Sequence, residues 1–329
     1  MTATILGARG WDCGHTMFND VDRYPSGNVL VRTSPVHTGT YSLYIENSWA
    51  RIAVDGDPSN PSVSIWVILN SAAYNNYAPR IRWLLTTGHY VDLVWNKTTH
   101  TFDAYVDESK VAAGTIEVSN NTWFHVQCYM TIADSGSIGV KIDGHQSINY
   151  SGDTQPGGAA GASYLYLYNL TANGVAVNWD DLAWGYGDYL GDLRCVDIRP
   201  DADTAQKQWT PSTGTDNYAT LDETPPSDAD YNEASVNGYA DELSLGDYDS
   251  VDRTPVAVVA WVRARMSDGT GDHIRVGIDS AGVDDDTEYP LAAAWEYYTH
   301  IADANPADAA AWEDADIDAL KLRYEAVIT

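Results

Sequence analysis

The chain has 329 residues, and 47 Asp plus Glu against 18 Lys plus Arg give a formal net charge of −29. That sign excludes nucleic acid as an expected partner, because phosphate binding needs the opposite charge. No stretch approaches the ~20 apolar residues of a membrane span, and Met1–Gly14 lacks the basic flank and apolar run of a signal peptide, so neither insertion nor a leader is expected.

The length predicts two domains of roughly 140–190 residues. In the first half, Tyr41, Leu43 and Ile45 alternate with Ser42 and Tyr44 behind the turn residues Thr38-Gly39-Thr40, as a strand does. Val63, Ile65, Val67 and Leu69 repeat the pattern after Pro58 and Pro61. Arg80–Leu85, Tyr90–Trp95 and Phe102–Val106 follow as short strands. Trp123–Ile132 and Ile138–Ile142 are predicted to form a hairpin about the polar run 133–137. On the first of these, Phe124, Val126, Cys128, Met130 and Ile132 share one face, so Cys128 is expected to pack and His125 to face outward. Three cysteines, Cys13, Cys128 and Cys195, have no metal-ligand spacing and no even count, which argues against a zinc site or disulfide framework. Ser151–Ala162 is expected to be a loop, and Tyr164–Leu170 a strand with Leu165 and Leu167 inward.

Val175, Val177 and Trp179 start a further strand that runs into Gly185, Gly187 and Gly191, a seam between two domains placed at 1–187 and 188–329. Beyond it, Gly191–Ile198 is expected as an entry strand and Pro200–Asp230 as a long polar loop. Pro255–Met266 and His273–Ile278 are expected to pair as a hairpin echoing 131–143. A short helix is expected at Pro306–Ala315 behind Asn305, and a last strand over 320–328. Many short strands at this spacing predict an all-β chain of two tandem β-sandwiches.

Split at Trp184, the carboxylates divide 16 and 31 and the basic residues 9 and 9, giving −7 and −22. With 37 Asp, ten Glu and five Lys, the composition resembles that of salt-in halophiles and their viruses.

The combination of Phe18-Asn-Asp20, Gly39–Ile45, Val63–Val67, Trp123–Val126, Gly136–Gly144 and Trp179-Asp-Asp-Leu182 resembles the concanavalin-A-like, laminin-G-like jelly roll. Tyr189–Arg194, followed by Ile198-Arg-Pro200, Trp209–Gly214, Tyr218-Ala219 and Asp222–Pro226, resembles a domain of structural proteins of tailed bacteriophages. The resemblance implies a non-enzymatic virion component on the exterior of the capsid or tail, assembled as a homo-oligomer with other virion proteins and contacting host-surface glycans. A free or cell-surface carbohydrate-binding module is the alternative. Jelly rolls of this kind also imply a structural Ca²⁺ site, for which Asp20, Asp180 and Asp181 are the candidate ligands; oxygen donors suit that ion. Asp55, Asp57 and Asn60, and Asp284–Asp286, are further oxygen-rich runs that surface acidification alone explains.

Catalytic signatures are absent from the sequence: there is no Glu-x-Asp-x-x-Glu run, no His-x-x-x-His pair and no nucleophile elbow. Twelve Trp and 22 Tyr against three Phe favour rings with a polar edge, which stack on sugars. Trp83, Tyr90 and Trp95 on strands, and Tyr74 and Tyr77 in a loop, are the candidate glycan contacts, although Trp66, Trp83 and Trp123 equally suit a core. Asn96, Asn120, Asn149 and Asn169 begin glycan-acceptor triplets.

Overall fold

The computed structural model describes residues 4–9, 28–54, 56, 58–70, 79–170, 176–223, 226–248, 253–267 and 271–328. The chain divides into two compact units, Met1–Val196 and Asp197–Thr329. Among the described residues the first unit holds β1 (Thr4–Arg9), β2 (Asn28–Arg32), β3 (Ser42–Glu46), β4 (Ser48–Ala53), β5 (Pro61–Leu69), β6 (Arg80–Leu85) and β7 (Tyr90–Asn96). It continues with β8 (Thr101–Val106), β9 (Ser109–Ala112), β10 (Trp123–Thr131), β11 (Gly136–Ile142), β12 (His145–Gly152), β13 (Ala162–Asn169) and β14 (Ala176–Tyr186).

These strands make an eight-stranded antiparallel sheet, ordered β12-β11-β10-β5-β14-β3-β2 with β1 also on β14, and a six-stranded one ordered β4-β13-β6-β7-β8-β9. Strand alternation decides what lies between them. Val63, Ile65, Val67 and Leu69 of the larger sheet and Ile81, Trp83, Leu85, Leu93 and Trp95 of the smaller are all 2 % exposed or less and belong to one apolar cluster. Cys128 packs in the same cluster, as its alternation predicts, and burial pushes its thiol up to about 12.

The second unit holds β15 (Pro200–Lys207), β16 (Thr210–Pro211), β17 (Asn232–Glu233), β18 (Ala240–Leu245), β19 (Val258–Ala264), β20 (His273–Ser280), β21 (Val283–Pro290), β22 (Glu296–Ala302) and β23 (Lys321–Val327), with a single helical turn or so, α1 (Asp314–Asp318). The main sheet runs β15-β18-β23-β20-β21, while β16–β17 and β19–β22 pair separately. A buried carboxylate ties its connections together: Asp241 accepts from the Trp209 backbone N–H at 2.9 Å, from the Tyr324 hydroxyl at 2.9 Å and from the Asn217 side-chain amide. Gly277 of β20 is required where it stands, because an added Cβ would lie 2.1 Å from the Asp285 carbonyl oxygen on β21.

The architecture is all-β, as expected from the alternation, but four local expectations for the second half are corrected. Residues 191–198 form no strand, and the expected loop 200–230 contains β15 and β16. β19 pairs with β22 while β20 lies between β21 and β23, so the expected hairpin does not form. The helix falls at Asp314–Asp318, behind a Glu313–Asp316 capping box, and not at Pro306. The acidic run Asp284–Asp286 is strand β21, held against β20 and bridged by Arg323, whose guanidinium lies 3.0 Å from Asp284 and 3.1 Å from Asp286.

Candidate functional site

The outer face of the eight-stranded sheet carries a dense polar nest. His125 sits beside Trp66, and Gln127 beside Ser64, in the β10–β5 register, all on the side opposite the core. The segment after β14 is laid across them. Its Gly191 N–H donates to Gln127 Oε1 at 2.9 Å, its Gly191 carbonyl accepts from Ser64 Oγ at 2.8 Å, and Trp66 Nε1 donates to Asp192 at 3.0 Å. Tyr189 packs edge-on against Tyr129 at 4.7 Å, over Gly139, where a Cβ would lie 2.7 Å from the Tyr189 hydroxyl. This strap therefore belongs to the first unit, and the residues under it are sealed: Ser64 is 0 % and His125 2 % exposed. The expected outward exposure of His125 is corrected by the strap, which makes a second buried layer of the face.

The Ser64–His125 contact, 2.7 Å from Oγ to Nε2, resembles a nucleophile and its base. Its hydrogen-bond direction excludes that role. Ser64 spends its hydrogen on the Gly191 carbonyl, so His125 Nε2 must be the donor and has no lone pair to take a proton from the serine. Burial depresses the His125 pKa to about 4, with Asp192 and Asp143 opposing the shift, and the ring is neutral at pH 7.

Asp180 and Asp181 lie at an irregularity of β14, where Asp181 takes a φ of +46°. Asp180 accepts from the His37 and Thr38 backbone N–H groups at 2.9 and 3.4 Å, and from Asp181 N at 2.9 Å. Asp181 takes the His37 ring at 2.8 Å, the Thr38 hydroxyl at 2.7 Å and the Cys195 N–H at 2.9 Å. Both carboxylates clamp the 33–41 loop and the strap onto the sheet, and His37 stacks on Trp66 with centroids 3.7 Å apart. Burial, reinforced by Asp181, raises the Asp180 pKa to about 8. Their oxygens are occupied by N–H and O–H donors, a set that does not fit a Ca²⁺ coordination sphere. Asp20, the third expected ligand, lies outside the described residues, as do Tyr74 and Tyr77.

The outer face of the six-stranded sheet is different in kind. Register places Trp49, Tyr168, Arg80 and Val94 in one cross-strand row and Arg51, Tyr166, Arg82, Asp92, Tyr105 and Lys110 in the next. Tyr164, Leu84 and Tyr90 make a third. Tyr166 and Tyr168 stack at 5.3 Å, and Trp49 meets Tyr166 edge-on at 5.2 Å. The Arg82 guanidinium lies 3.6 Å from the Tyr90 ring centroid and 5.2 Å from that of Tyr168; Arg51 lies 4.6 Å from that of Tyr164. Asp92, 2 % exposed, binds Arg82 through both oxygens at 2.7 Å and Arg80 at 3.1 Å. Burial works against the Arg82 charge, but the Asp92 bonds hold its pKa above the ordinary value. Burial likewise raises the Tyr168 pKa despite nearby Arg82, so its hydroxyl stays protonated.

Among the described residues, the expected glycan contact that stands on this face is Tyr90. Trp83 and Trp95 are each 1 % exposed and point into the core, where no sugar can stack. Sequence reasoning missed Trp49, Arg51, Arg80, Arg82 and the outward series Tyr164, Tyr166 and Tyr168. The alternation that turns Leu165 and Leu167 inward is the signal that puts those tyrosines outside.

In the second unit, Glu242, Asp279 and Asp284 each offer a carboxylate oxygen, all within 4.8 Å of one another, and together could hold a metal ion. The Lys321 ammonium already stands 3.0 Å from Glu242 and 2.8 Å from Asp279.

No protein-family model and no curated protein matches the chain. Among solved structures, it is similar to the cellulose-induced protein Cip1, with 12 % identity and a TM-score of 0.44 over 58 % of this chain and 99 % of that one. It is also similar to an endo-β-1,4-glucuronan lyase from the fungus Trichoderma reesei, at 13 % identity and TM-score 0.38 over 56 % and 96 %. A third is the conserved carbohydrate esterase of the Shiga toxin-encoding bacteriophage phi24B, at 13 % identity and TM-score 0.42 over 57 % and 100 %. These comparisons correct the expectation of a non-enzymatic virion surface protein, and with it the virion localisation. The similar structures include carbohydrate-active enzymes. At these TM-scores, function has to be argued from this chain's own residues.

Proposed function

We propose that the chain is built of two β-sandwiches in tandem, the first of jelly-roll type, and that the first binds carbohydrate on the outer face of its six-stranded sheet. The observation that carries this reading is the row of half-buried rings Trp49, Tyr164, Tyr168 and Tyr90, packed about the buried Tyr166 and interleaved with Arg51 and Arg82. Rings with polar tips present an apolar plate to the C–H face of a sugar and a hydrogen-bonding rim to its hydroxyls. Two or three such rings along one face would hold successive units of an extended chain. Among the described residues no comparable plate is open on the other sheet, where the strap packs on Trp66 and Tyr129.

Binding of the purified chain to a panel of neutral and acidic polysaccharides, read by affinity electrophoresis, tests this. Tyr168→Ala and Tyr90→Ala should each weaken binding about fivefold, the equivalent of ~1 kcal/mol per stacked ring. Tyr186→Ala, on the opposite sheet, serves as the control. Equal loss in all three variants, or binding to no member of the panel, overturns the reading. Assaying the same mixtures for new chain ends decides whether bound glycan is also turned over.

A further inference from the structure

The second unit has an aromatic face of its own. In the β19–β22 pair, Trp261 stands opposite Thr299 and Arg263 opposite Tyr297, while Ala260, Val262, Tyr298 and Ala302 take the other side. Val262 and Tyr298 cluster with Leu243, Ile274 and Val276 of the main sheet, and Ala260 and Ala302 with Ile278. Alternation therefore turns Trp261, Arg263 and Tyr297 away from the main sheet. One step further along the register Arg265 meets Trp295, its guanidinium 5.1 Å from the ring centroid. Tyr231 approaches the same indole at 6.0 Å. Tyr297 is buried, with Trp261 edge-on to it at 5.4 Å and the Arg263 guanidinium 5.2 Å from its centroid.

These rings are positioned by bonds that leave the indole edges unused. Arg263 is fixed to Asp228 by two bonds, at 2.6 and 2.9 Å, and donates a third to the Trp295 carbonyl at 3.2 Å. The Tyr231 N–H donates to Ser212 Oγ at 2.9 Å, and its carbonyl accepts from the Ser212 N–H at 2.8 Å. Little order remains to be imposed when a ligand arrives. Trp66, Trp209 and Trp312 spend their indole N–H groups on Asp192, the Tyr239 carbonyl and the Ala302 carbonyl. Among the described residues, none accepts from the N–H of Trp261 or Trp295, and both rings are half-buried.

A half-exposed ring with a donor at its edge matches the C–H face of a sugar and an adjoining hydroxyl. Trp261 and the Arg265–Trp295 pair are four residues apart, about 13 Å along the strands, a run that a short oligosaccharide spans. A proline-rich peptide also docks on aromatic side chains, but in a groove between them, whereas these rings line one face of a two-stranded ribbon. Charge narrows the class of sugar. The Arg263 guanidinium is met by Asp228, and the chain after Trp184 sets 31 carboxylates against nine basic residues, a field that disfavours a polyanion.

We infer that the outward face of β19–β22 is a second glycan-binding site, for neutral polysaccharides. The inference goes beyond the carbohydrate reading of the first unit and uses none of its residues.

Affinity electrophoresis of the full chain carrying Tyr90→Ala and Tyr168→Ala tests it, because retention in that background reports the second unit. A neutral polysaccharide should still retain this protein. Adding Trp261→Ala and Trp295→Ala should weaken retention about tenfold or more, at about fivefold per stacked ring. Arg265→Ala, at an exposed side chain, should weaken it about threefold, and thermal melting verifies that each variant is folded. Loss of all retention in the starting background, retention by acidic polysaccharides alone, or retention unmoved by the tryptophan and arginine substitutions in folded variants overturns the inference and leaves the carbohydrate reading standing. Binding of a polyproline peptide that is lost with the two tryptophans, with no neutral glycan bound, likewise overturns it. If the tryptophan substitutions abolish binding in the otherwise unaltered chain while Tyr90→Ala and Tyr168→Ala change nothing, the inference stands and the reading of the first unit falls. If the unaltered chain binds no polysaccharide, both fall.

Discussion

His125 makes the stability of the first unit depend on pH in a direction the structure dictates. Burial holds its pKa near 4, against the ordinary 6.5, while its Nε2 donates to Ser64 under the strap. Above pH 6.5 the ring is neutral whether the chain is folded or not, and it contributes no pH dependence. Between pH 6.5 and 4 the unfolded chain binds the proton and the folded chain does not, so stability falls as the pH falls, by about 1.4 kcal/mol per unit at most. The full window of about 2.5 units therefore amounts to about 3 kcal/mol. Asp180, raised to about 8, acts with the opposite sign: its folded form keeps a proton that the unfolded form loses, so acidification from pH 8 to 4 favours the native state. A wild-type curve alone mixes the two. His125→Gln isolates the histidine, since the glutamine amide retains a donor towards Ser64 and does not titrate. Urea unfolding of both proteins at pH 7, 6, 5 and 4 should show the advantage of the wild type shrinking by about 3 kcal/mol across the series. Parallel curves would refute the reasoning, and would mean that Asp143, Asp181 and Asp192 offset the burial, so that the histidine takes up its proton as readily in the native state as in the unfolded one.

Trp83→Ala should destabilise the first unit by about 3–5 kcal/mol in the same denaturation assay, as expected for an indole removed from a packed core; a change below about 1 kcal/mol would place the ring outside it. Lys321→Met should convert the Glu242–Asp279–Asp284 group from an ion-paired cluster into a cation site, so that millimolar Ca²⁺ raises the melting temperature of the variant and has little effect on the wild type. A wild type stabilised as much as the variant would show that the lysine and the metal do not compete. With 47 acidic residues against 18 basic ones, the melting temperature should rise between about 0.1 M and 1 M NaCl, as the screening length contracts from about 10 to 3 Å; an unchanged midpoint would mean that surface repulsion is not a significant destabilising factor.

Alternation made much of the first unit legible. Val63, Ile65, Val67 and Leu69 occupy the face their period assigns, and so do Phe124, Val126, Cys128 and Met130. The same rule carried information about the site. Positions 90 and 95 are five apart on one strand, so Tyr90 and Trp95 cannot share a face, and Trp83 keeps company with Ile81 and Leu85. Parity separates two faces but does not say which is covered, and here that depends on pairing between strands distant in sequence. The strap shows the limit in another way. Residues 188–195 resemble the start of a domain, yet contacts from Gly191, Asp192 and Cys195 to residues up to 127 positions away attach them to the first unit. In the second unit, Val283–Pro290 has the composition of a solvated loop. It is a strand because β20 supplies its backbone partners and Arg323 draws two of its aspartates together.

The two sheets of the first unit bury polar groups on their outer faces by opposite means, and that difference accounts for where a ligand can bind. On the larger sheet, Ser64, His125 and Gln127 are covered by backbone and side chains of the strap, which closes that part of the face. On the smaller sheet, Asp92 and Asp103 are covered by the heads of Arg80, Arg82 and Lys110, so each buried carboxylate brings cations to the surface above it. Asp92→Asn tests this coupling directly. Removing the shared charge should destabilise the fold by about 3 kcal/mol, since a buried ion pair loses one partner. It should also make the face more positive by one charge, so that the folded variant binds the acidic members of the polysaccharide panel more tightly, relative to the neutral ones, than the wild type does. A weaker preference in a variant that remains folded would mean that Asp92 serves mainly to hold the guanidinia in position, and that orientation outweighs net charge in selecting the ligand.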